Sequence, residues 1–171
     1  MRLRLPPQRL LLCSLMLLPT LGFRPTAGAK LDVAGTVVIA ALPGAGVKKD
    51  AAGQPAFIGE SKGKNSSTGS ARFMDGATVV SADTSRLVDG TGPHHGWVTM
   101  TQGPDRVVFE WKGQVTTVIA ADKTPRSTFA GTWKILQASG SHAGTGGHGT
   151  YTGRFTSGTE SVTEWKGTID R

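Results

Sequence analysis

Four histidines are the side chains of this sequence best suited to binding a metal ion. His94 and His95 are adjacent in the segment GPHHGW, whereas His142 and His148 flank a glycine-rich segment. Adjacent side chains of a strand point to opposite faces, so His94 and His95 could share a metal only if a turn redirected them. No motif of the HExxH type accompanies them. We therefore predict solvated loop histidines, with no metal and no cofactor.

Two nearly identical segments, FEWKGQV and TEWKGTI, carry a regular polar set. Its members are Glu110, Lys112, Glu164 and Lys166. If these side chains lined an interior, their carboxylates and ammonium groups could perform acid–base chemistry. If they face outward, they form cross-strand ion pairs worth a few tenths of a kcal/mol each. Burying the tryptophan between them removes more apolar area from water than burying Glu and Lys would, and it leaves no buried charge without a partner. We therefore predict that the four charged side chains face outward.

Aromatic side chains alternate with glycine along several segments and could line a ligand pocket. The candidates are Phe109, Trp111, Trp133, Tyr151, Phe155 and Trp165. An eight-stranded barrel can hold one small ligand, and the alternative is that its interior is packed solid. No Ser/His/Asp or Cys/His arrangement has a recognisable context, and the glycine-rich segments lack the context of a nucleotide-binding loop. The catalytic residues, if there are any, stay unassigned.

These candidates lie on short runs of β-branched and aromatic residues separated by Gly, Pro, Asp, Asn and Ser, a spacing typical of a sandwich or barrel. The predicted strands are Val33–Leu42, Ala56–Lys62, Gly76–Val88, His95–Thr101, Arg106–Val118, Gly131–Gln137, Gly149–Thr156 and Thr159–Ile169. We predict loops at 43–55, 62–70 and 138–148. The second loop contains Asn65-Ser66-Ser67, which fits a glycosylation triplet.

Side-chain alternation divides the longest strands into two faces. Along Arg106–Val118, one face carries Val107, Phe109, Trp111, Gly113 and Val115. Interleaved glycine and aromatic residues suit a strongly curved sheet, because glycine permits bending while a neighbouring ring fills space. Closure of the sheet also removes exposed edges. We predict an all-β fold, an eight-stranded antiparallel β-barrel.

The N-terminal segment has the pattern of a signal peptide. Three arginines precede the apolar run Leu10–Leu18, and Ala27-Gly28-Ala29 supplies a small-x-small exit. The run is shorter than the roughly 20 residues needed to span a bilayer as a helix. We predict a signal helix over 1–29, cleaved after Ala29, and one secreted or periplasmic domain over 30–171 without a transmembrane span. The alternative is an uncleaved N-terminal anchor.

The single cysteine, Cys13, lies in that segment, so the predicted domain has no disulfide and no thiolate. The chain has a net charge of +7, but four of its 19 Lys and Arg residues lie in 1–29. The predicted domain keeps 15 against 12 acidic residues, a net charge of +3. These charges are scattered without a basic stripe, so we predict no nucleic-acid partner.

The segment FAGTWKILQASGSHAGTGGHGTYTGRF, residues 129–155, resembles a pattern of the allene oxide cyclase-like barrel family. In that family "GTW-x-I" is followed by a turn and strand of the form GSGxYAGxxGxGxY. The wider group includes plant dirigent proteins and small bacterial secreted proteins. The resemblance is most specific over 106–169, and it implies an eight-stranded antiparallel barrel. Because relatives form trimers, it also implies a homo-oligomer.

Three functions are compatible with these features. The first is binding of a small apolar or aromatic molecule, or of another macromolecule, outside the cytoplasm. The second is an isomerase of the cyclase or dirigent kind, acting on a lipid or phenolic intermediate; no residue of such relatives can be matched here, and fold alone does not imply function. The third is a structural, envelope-associated protein. The content of the barrel interior distinguishes them.

Overall fold

The computed structural model describes residues 28–170, which form nine strands. The strands are β1 (Lys30–Ala41), β2 (Gly46–Lys49), β3 (Pro55–Ser67), β4 (Thr78–Ser85), β5 (Gly92–Gln102), β6 (Asp105–Ile119), β7 (Pro125–Ser139), β8 (Gly146–Phe155) and β9 (Glu160–Asp170). A single 3₁₀ turn, Gly140–His142, lies between β7 and β8. The predicted signal helix covers residues 1–29, and of these residues 1–27 lie outside the described residues.

Eight of these strands close into an antiparallel barrel, which confirms the predicted fold class. Neighbours follow the order β1-β9-β8-β7-β6-β5-β4-β3, and β3 pairs with β1 over 61–67 to complete the ring. Strand β2 lies outside the ring and pairs with the start of β3. It falls in the predicted loop 43–55, because four residues are too few for side-chain alternation to be visible.

Aromatic rings lie over glycines of neighbouring strands and make the tight curvature possible. A Cβ at Gly149 or Gly167 would lie 2.6 Å from Trp133 Cζ2, and one at Gly131 would lie 2.5 Å from the Tyr151 hydroxyl oxygen. Real side chains do not approach so closely, so a residue larger than glycine would displace these rings. The glycine–aromatic alternation of the sequence therefore corresponds to ring-over-glycine packing between strands.

One end of the barrel is closed by the segment 68–77, which joins β3 to β4. Phe73 and Met74 of this segment are each about 1% exposed and enter the interior. The Phe73 ring packs edge-on against His142, at a centroid distance of 5.0 Å, and against Trp165, at 6.5 Å. Because the strands are antiparallel, segments 42–54, 86–91, 120–124 and 156–159 lie at the opposite end.

Asn65 ties this closed end to the barrel wall. Strand β3 continues to Ser67, so the predicted loop 62–70 is wrong over 62–67. Asn65 is fully buried. Its amide nitrogen donates to the carbonyl oxygen of Met74 at 2.8 Å and to that of Phe73 at 3.4 Å, and its Oδ1 accepts from Trp165 Nε1 at 2.9 Å. The acceptor side chain of the glycosylation triplet, Asn65, is therefore inaccessible in the folded domain.

Asn65→Ala should reduce the free energy of unfolding by roughly 2–3 kcal/mol, because it leaves an indole N–H and two buried carbonyl oxygens without these partners. Urea denaturation measures the change. Ser66→Ala, at the exposed neighbouring position, is the control and should stay within about 0.5 kcal/mol of the wild type. Equal, small effects of the two substitutions would mean that Asn65 does not hold the closed end.

Candidate functional site

The barrel interior contains an apolar cavity of about 180 Å³ rather than a solid core. Thr159 and Glu160 line it, so the cavity lies towards the end of the barrel opposite the one that Phe73 and Met74 close. All six aromatic residues singled out in the sequence line its wall: Phe109, Trp111, Trp133, Tyr151, Phe155 and Trp165. Their part in binding a ligand stays a prediction.

The aromatic wall is held by edge-on ring contacts. The Trp111 and Tyr151 rings are 6.0 Å apart and nearly perpendicular, and the Phe129 and Phe155 rings are 5.3 Å apart. Phe155 is 47% exposed and stands near the end of β8. Phe129 belongs to the wall but was not predicted, because the sequence places the start of β7 at Gly131, whereas the strand begins at Pro125.

The carboxyl group of Asp83 lies in this wall. Its Oδ1 is buried and accepts no hydrogen bond from any residue in 28–170. Burial is the cause that raises the Asp83 pKa from its ordinary 3.8 to about 7. A carboxyl group of this kind changes its charge near neutral pH, and its Oδ1 can accept a hydrogen bond from a molecule that enters the cavity.

Glycine lies opposite Asp83 on both neighbouring strands, Gly59 on β3 and Gly96 on β5. An aromatic ring covers each glycine: Phe57 Cε1 is 3.1 Å from the position of a Cβ on Gly59, and Trp111 Cζ2 is 2.8 Å from that on Gly96. The Trp111 indole Nε1 is itself buried without a hydrogen-bond partner among the described residues. Rings therefore cover the glycines on both sides of Asp83, and one of these rings, that of Trp111, carries an N–H donor without a partner among the described residues.

His94 and Tyr151 form a second polar group in the wall, with 3.0 Å between His94 Nε2 and the Tyr151 hydroxyl oxygen. Burial, and next the charge of His95, lower the pKa of His94 to about 4. Burial, and next the charge of Asp83, raise the pKa of Tyr151. Both groups are therefore neutral at pH 7, and the pair is a neutral hydrogen-bonding unit.

The prediction of solvated loop histidines is wrong for His94 and His142. Strand β5 begins at Gly92, three residues earlier than predicted, so alternation puts His94 inside and His95 outside. His142 is buried in the 3₁₀ turn against Phe73. His95 and His148 are exposed but lie on β5 and β8. Within 28–170, no three His, Cys, Asp or Glu side chains are grouped as a metal site.

The four polar candidates of the repeated segments lie on the outer face of the barrel: Glu110, Lys112, Glu164 and Lys166. Lys112, Glu164 and Lys166 are exposed. The Glu110 carboxylate accepts a hydrogen bond from Lys134 of β7, at 2.7 Å, which lowers its pKa. This pairing partner is on the adjacent strand and was not predicted. None of the four lines the cavity.

Among the residues that the structure describes, no helix is long and apolar enough to cross a membrane. Comparisons with protein-family models, with characterised proteins and with solved structures found no match to this chain. The chemistry of the site has to be inferred from its own residues.

Proposed function

We propose that the barrel binds one small, largely apolar molecule in its interior. The observation that carries this proposal is the aromatic-lined cavity of about 180 Å³, in whose wall the buried Asp83 Oδ1 has no hydrogen-bond partner among residues 28–170. An apolar cavity of about 150 Å³ holds a molecule the size of benzene, so a ligand built on one ring fits. Such pockets combine apolar walls with a few polar groups that orient the ligand.

A purely structural role is less consistent with Asp83. A carboxyl group that loses water without gaining a partner destabilises the fold, and an apolar residue at this position would be more stable. Ionisable groups with strongly shifted pKa values cluster at functional sites. The proposed setting is outside the cytoplasm, which is supported by the start of β1 at Lys30, directly after the predicted cleavage site.

An isomerase or cyclase, as the allene oxide cyclase-like resemblance implies, is the second candidate. It is favoured by the Asp83 carboxyl, whose pKa of about 7 suits a general acid or base at neutral pH. The neutral His94–Tyr151 pair could donate a hydrogen bond to a substrate oxygen that gains negative charge. Binding comes first in both candidates, so the test of binding precedes the test of turnover.

Ser81→Phe tests whether a ligand occupies the interior. Ser81 faces the cavity between Ser61 of β3 and Val98 of β5, so a phenyl ring there fills the space. The probe is tert-butylbenzene, followed through the indole N–H resonances of ¹⁵N-labelled protein. We expect the wild type to bind it and Ser81→Phe to weaken binding about tenfold or more.

Val80→Phe is the matched control, because it adds the same ring one residue away on the outer face of β4. It should bind the probe as the wild type does. Ser81→Leu, a smaller filler, covers the case in which Ser81→Phe does not fold. Undiminished binding by a folded Ser81 variant would place the ligand elsewhere, and no binding by the wild type would refute the proposed function.

A further inference from the structure

The cavity is acidic although the chain as a whole is basic. Of the described residues that line it, Asp83 and Glu160 carry carboxyl groups and none is Lys or Arg. His94 is neutral at pH 7, since its pKa lies near 4. The cationic side chains that give the chain its net charge of +7 therefore contribute nothing to this wall. A neutral or anionic ligand would leave the charge of an ionised Asp83 uncompensated.

Aromatic rings lie over the neighbouring strands on both sides of the same carboxyl group. Phe57 and Trp111 cover the glycines on either side of Asp83, and Tyr151 packs edge-on against Trp111. The face of an aromatic ring carries partial negative charge and attracts a cation within about 6 Å of its centre, most strongly when water is excluded. A carboxylate flanked by rings therefore favours an ammonium group over any neutral group of the same size.

The apolar remainder of the cavity restricts the cation further. Directly beside Asp83 a hydrated inorganic ion would find few oxygen ligands, because the two residues opposite Asp83 in register, Gly59 and Gly96, are glycines covered by rings. Calcium and magnesium take six or more oxygen ligands, and within 28–170 no three His, Cys, Asp or Glu side chains are grouped to hold a metal ion. An organic cation carries its own apolar surface, so it satisfies both the carboxyl group and the aromatic wall.

From this arrangement we propose that the ligand of the barrel is a small organic cation, an apolar amine or quaternary ammonium ion, whose charged nitrogen lies beside Asp83 among the surrounding rings. This inference rests on the proposed function and names its ligand class. A neutral hydrocarbon is the competing occupant, and the test is built to separate the two.

The probes are phenyltrimethylammonium and tert-butylbenzene, which have the same shape and differ in a charged nitrogen against a carbon. Isothermal titration calorimetry near pH 8 and indole N–H resonances measure binding of each. We expect the wild type to bind the cation and Asp83→Asn to weaken that binding about tenfold or more, with hydrocarbon binding unchanged or stronger. Asp32→Asn removes the same charge from an exposed position of β1 and should leave both affinities unchanged.

Proton release gives an independent readout. Because the cation favours ionised Asp83, its binding near neutral pH should release protons, seen as a binding enthalpy that depends on the ionisation enthalpy of the buffer. His94 and Tyr151 remain neutral in this range, and Glu160 is the other carboxyl group of the wall. The release should be absent in Asp83→Asn and present in Glu160→Gln.

The outcomes distinguish the two levels of the proposal. Binding of tert-butylbenzene without binding of phenyltrimethylammonium would overturn the cation and leave the interior site intact. An equal loss of affinity for both probes in Asp83→Asn would also overturn it, since the carboxyl group would then affect only the shape of the cavity and not its preference for a cation. Failure of both probes to bind the wild type would remove the proposed function and the cation with it.

Discussion

Asp83→Asn should stabilise the domain near pH 8 by roughly 3–4 kcal/mol and leave it almost unchanged near pH 4. Asp83 titrates near pH 7 in the folded protein and near 3.8 when unfolded. Between these values the folded state holds a proton that the unfolded state has lost. The contribution of Asp83 to the free energy of unfolding therefore falls as the pH rises from about 4 to about 7 and is constant above. Asparagine has the same shape and no charge to desolvate.

Urea denaturation of both proteins across this pH range measures the difference. Asp32→Asn, at an exposed position of β1, should show no such pH-dependent gain. A difference between Asp83→Asn and the wild type that is the same at pH 4 and pH 8 would mean that the carboxyl group is not desolvated. The cavity chemistry proposed above would then lose its support.

His94 has the opposite pH dependence. Its folded pKa of about 4 lies below the ordinary 6.5, so stability is lost as the pH falls from about 6.5 towards 4. In the wild type this loss opposes the gain from protonating Asp83 over nearly the same range. Asp83→Asn should thus be more sensitive to acid than the wild type, because the His94 contribution is no longer offset.

Trp165→Ala should reduce the free energy of unfolding by roughly 3–5 kcal/mol, among the largest losses expected from one substitution in this chain. The Trp165 ring is 7% exposed and packs against Trp133, at 6.1 Å between centroids. Its indole N–H donates to Asn65, which holds the closed end of the barrel. The substitution removes the ring, leaves a cavity and deprives Asn65 of a donor.

Trp97→Ala is the control, because Trp97 is half-exposed on the outer face of β5. It should lose less than about 1 kcal/mol. Chemical denaturation monitored by circular dichroism compares the two variants and avoids the change in tryptophan fluorescence. A loss below about 1 kcal/mol for Trp165→Ala would mean that the ring contributes little to the core.

The two substitutions describe different relations between stability and function. Trp165 stabilises the barrel, whereas ionised Asp83 destabilises it. A residue that weakens its own fold is expected where binding or catalysis requires it, since any mutation to a neutral residue would be favoured by stability alone. A ligand that pairs with Asp83 should recover part of the lost stability, because binding to the folded state raises the free energy of unfolding.

Side-chain alternation in the sequence is sufficient to predict the eight barrel strands and the faces of β6 and β9. Alternation with period two is a local property, because successive side chains of a strand point to opposite faces whatever the strand pairs with. Val107, Phe109 and Val115 are buried and Lys112 is exposed, as the pattern predicts. The ring-and-glycine pattern likewise indicates a strongly curved sheet, because glycine permits bending while a neighbouring ring fills space.

The same alternation fails where pairing between strands changes the register. Val108 lies opposite Gln137, but Phe109 lies opposite Ile135, which leaves Leu136 as the extra residue of a bulge in β7. Beyond the bulge Ala138, rather than Gln137, packs against the core. A bulge depends on the partner strand, so the sequence of β7 alone does not reveal it.

Only the tertiary structure brings the candidate site together. Asp83 shares its face with Val79 and Ser81, a pattern visible in the sequence, but its meaning depends on Gly59 and Gly96 from other strands. Strand periodicity assigns each side chain to a face, whereas closure of the ring decides which faces meet and how much water remains between them. The raised pKa of Asp83, the neutrality of His94 and the burial of Asn65 all follow from that closure, because desolvation is a property of the assembled interior.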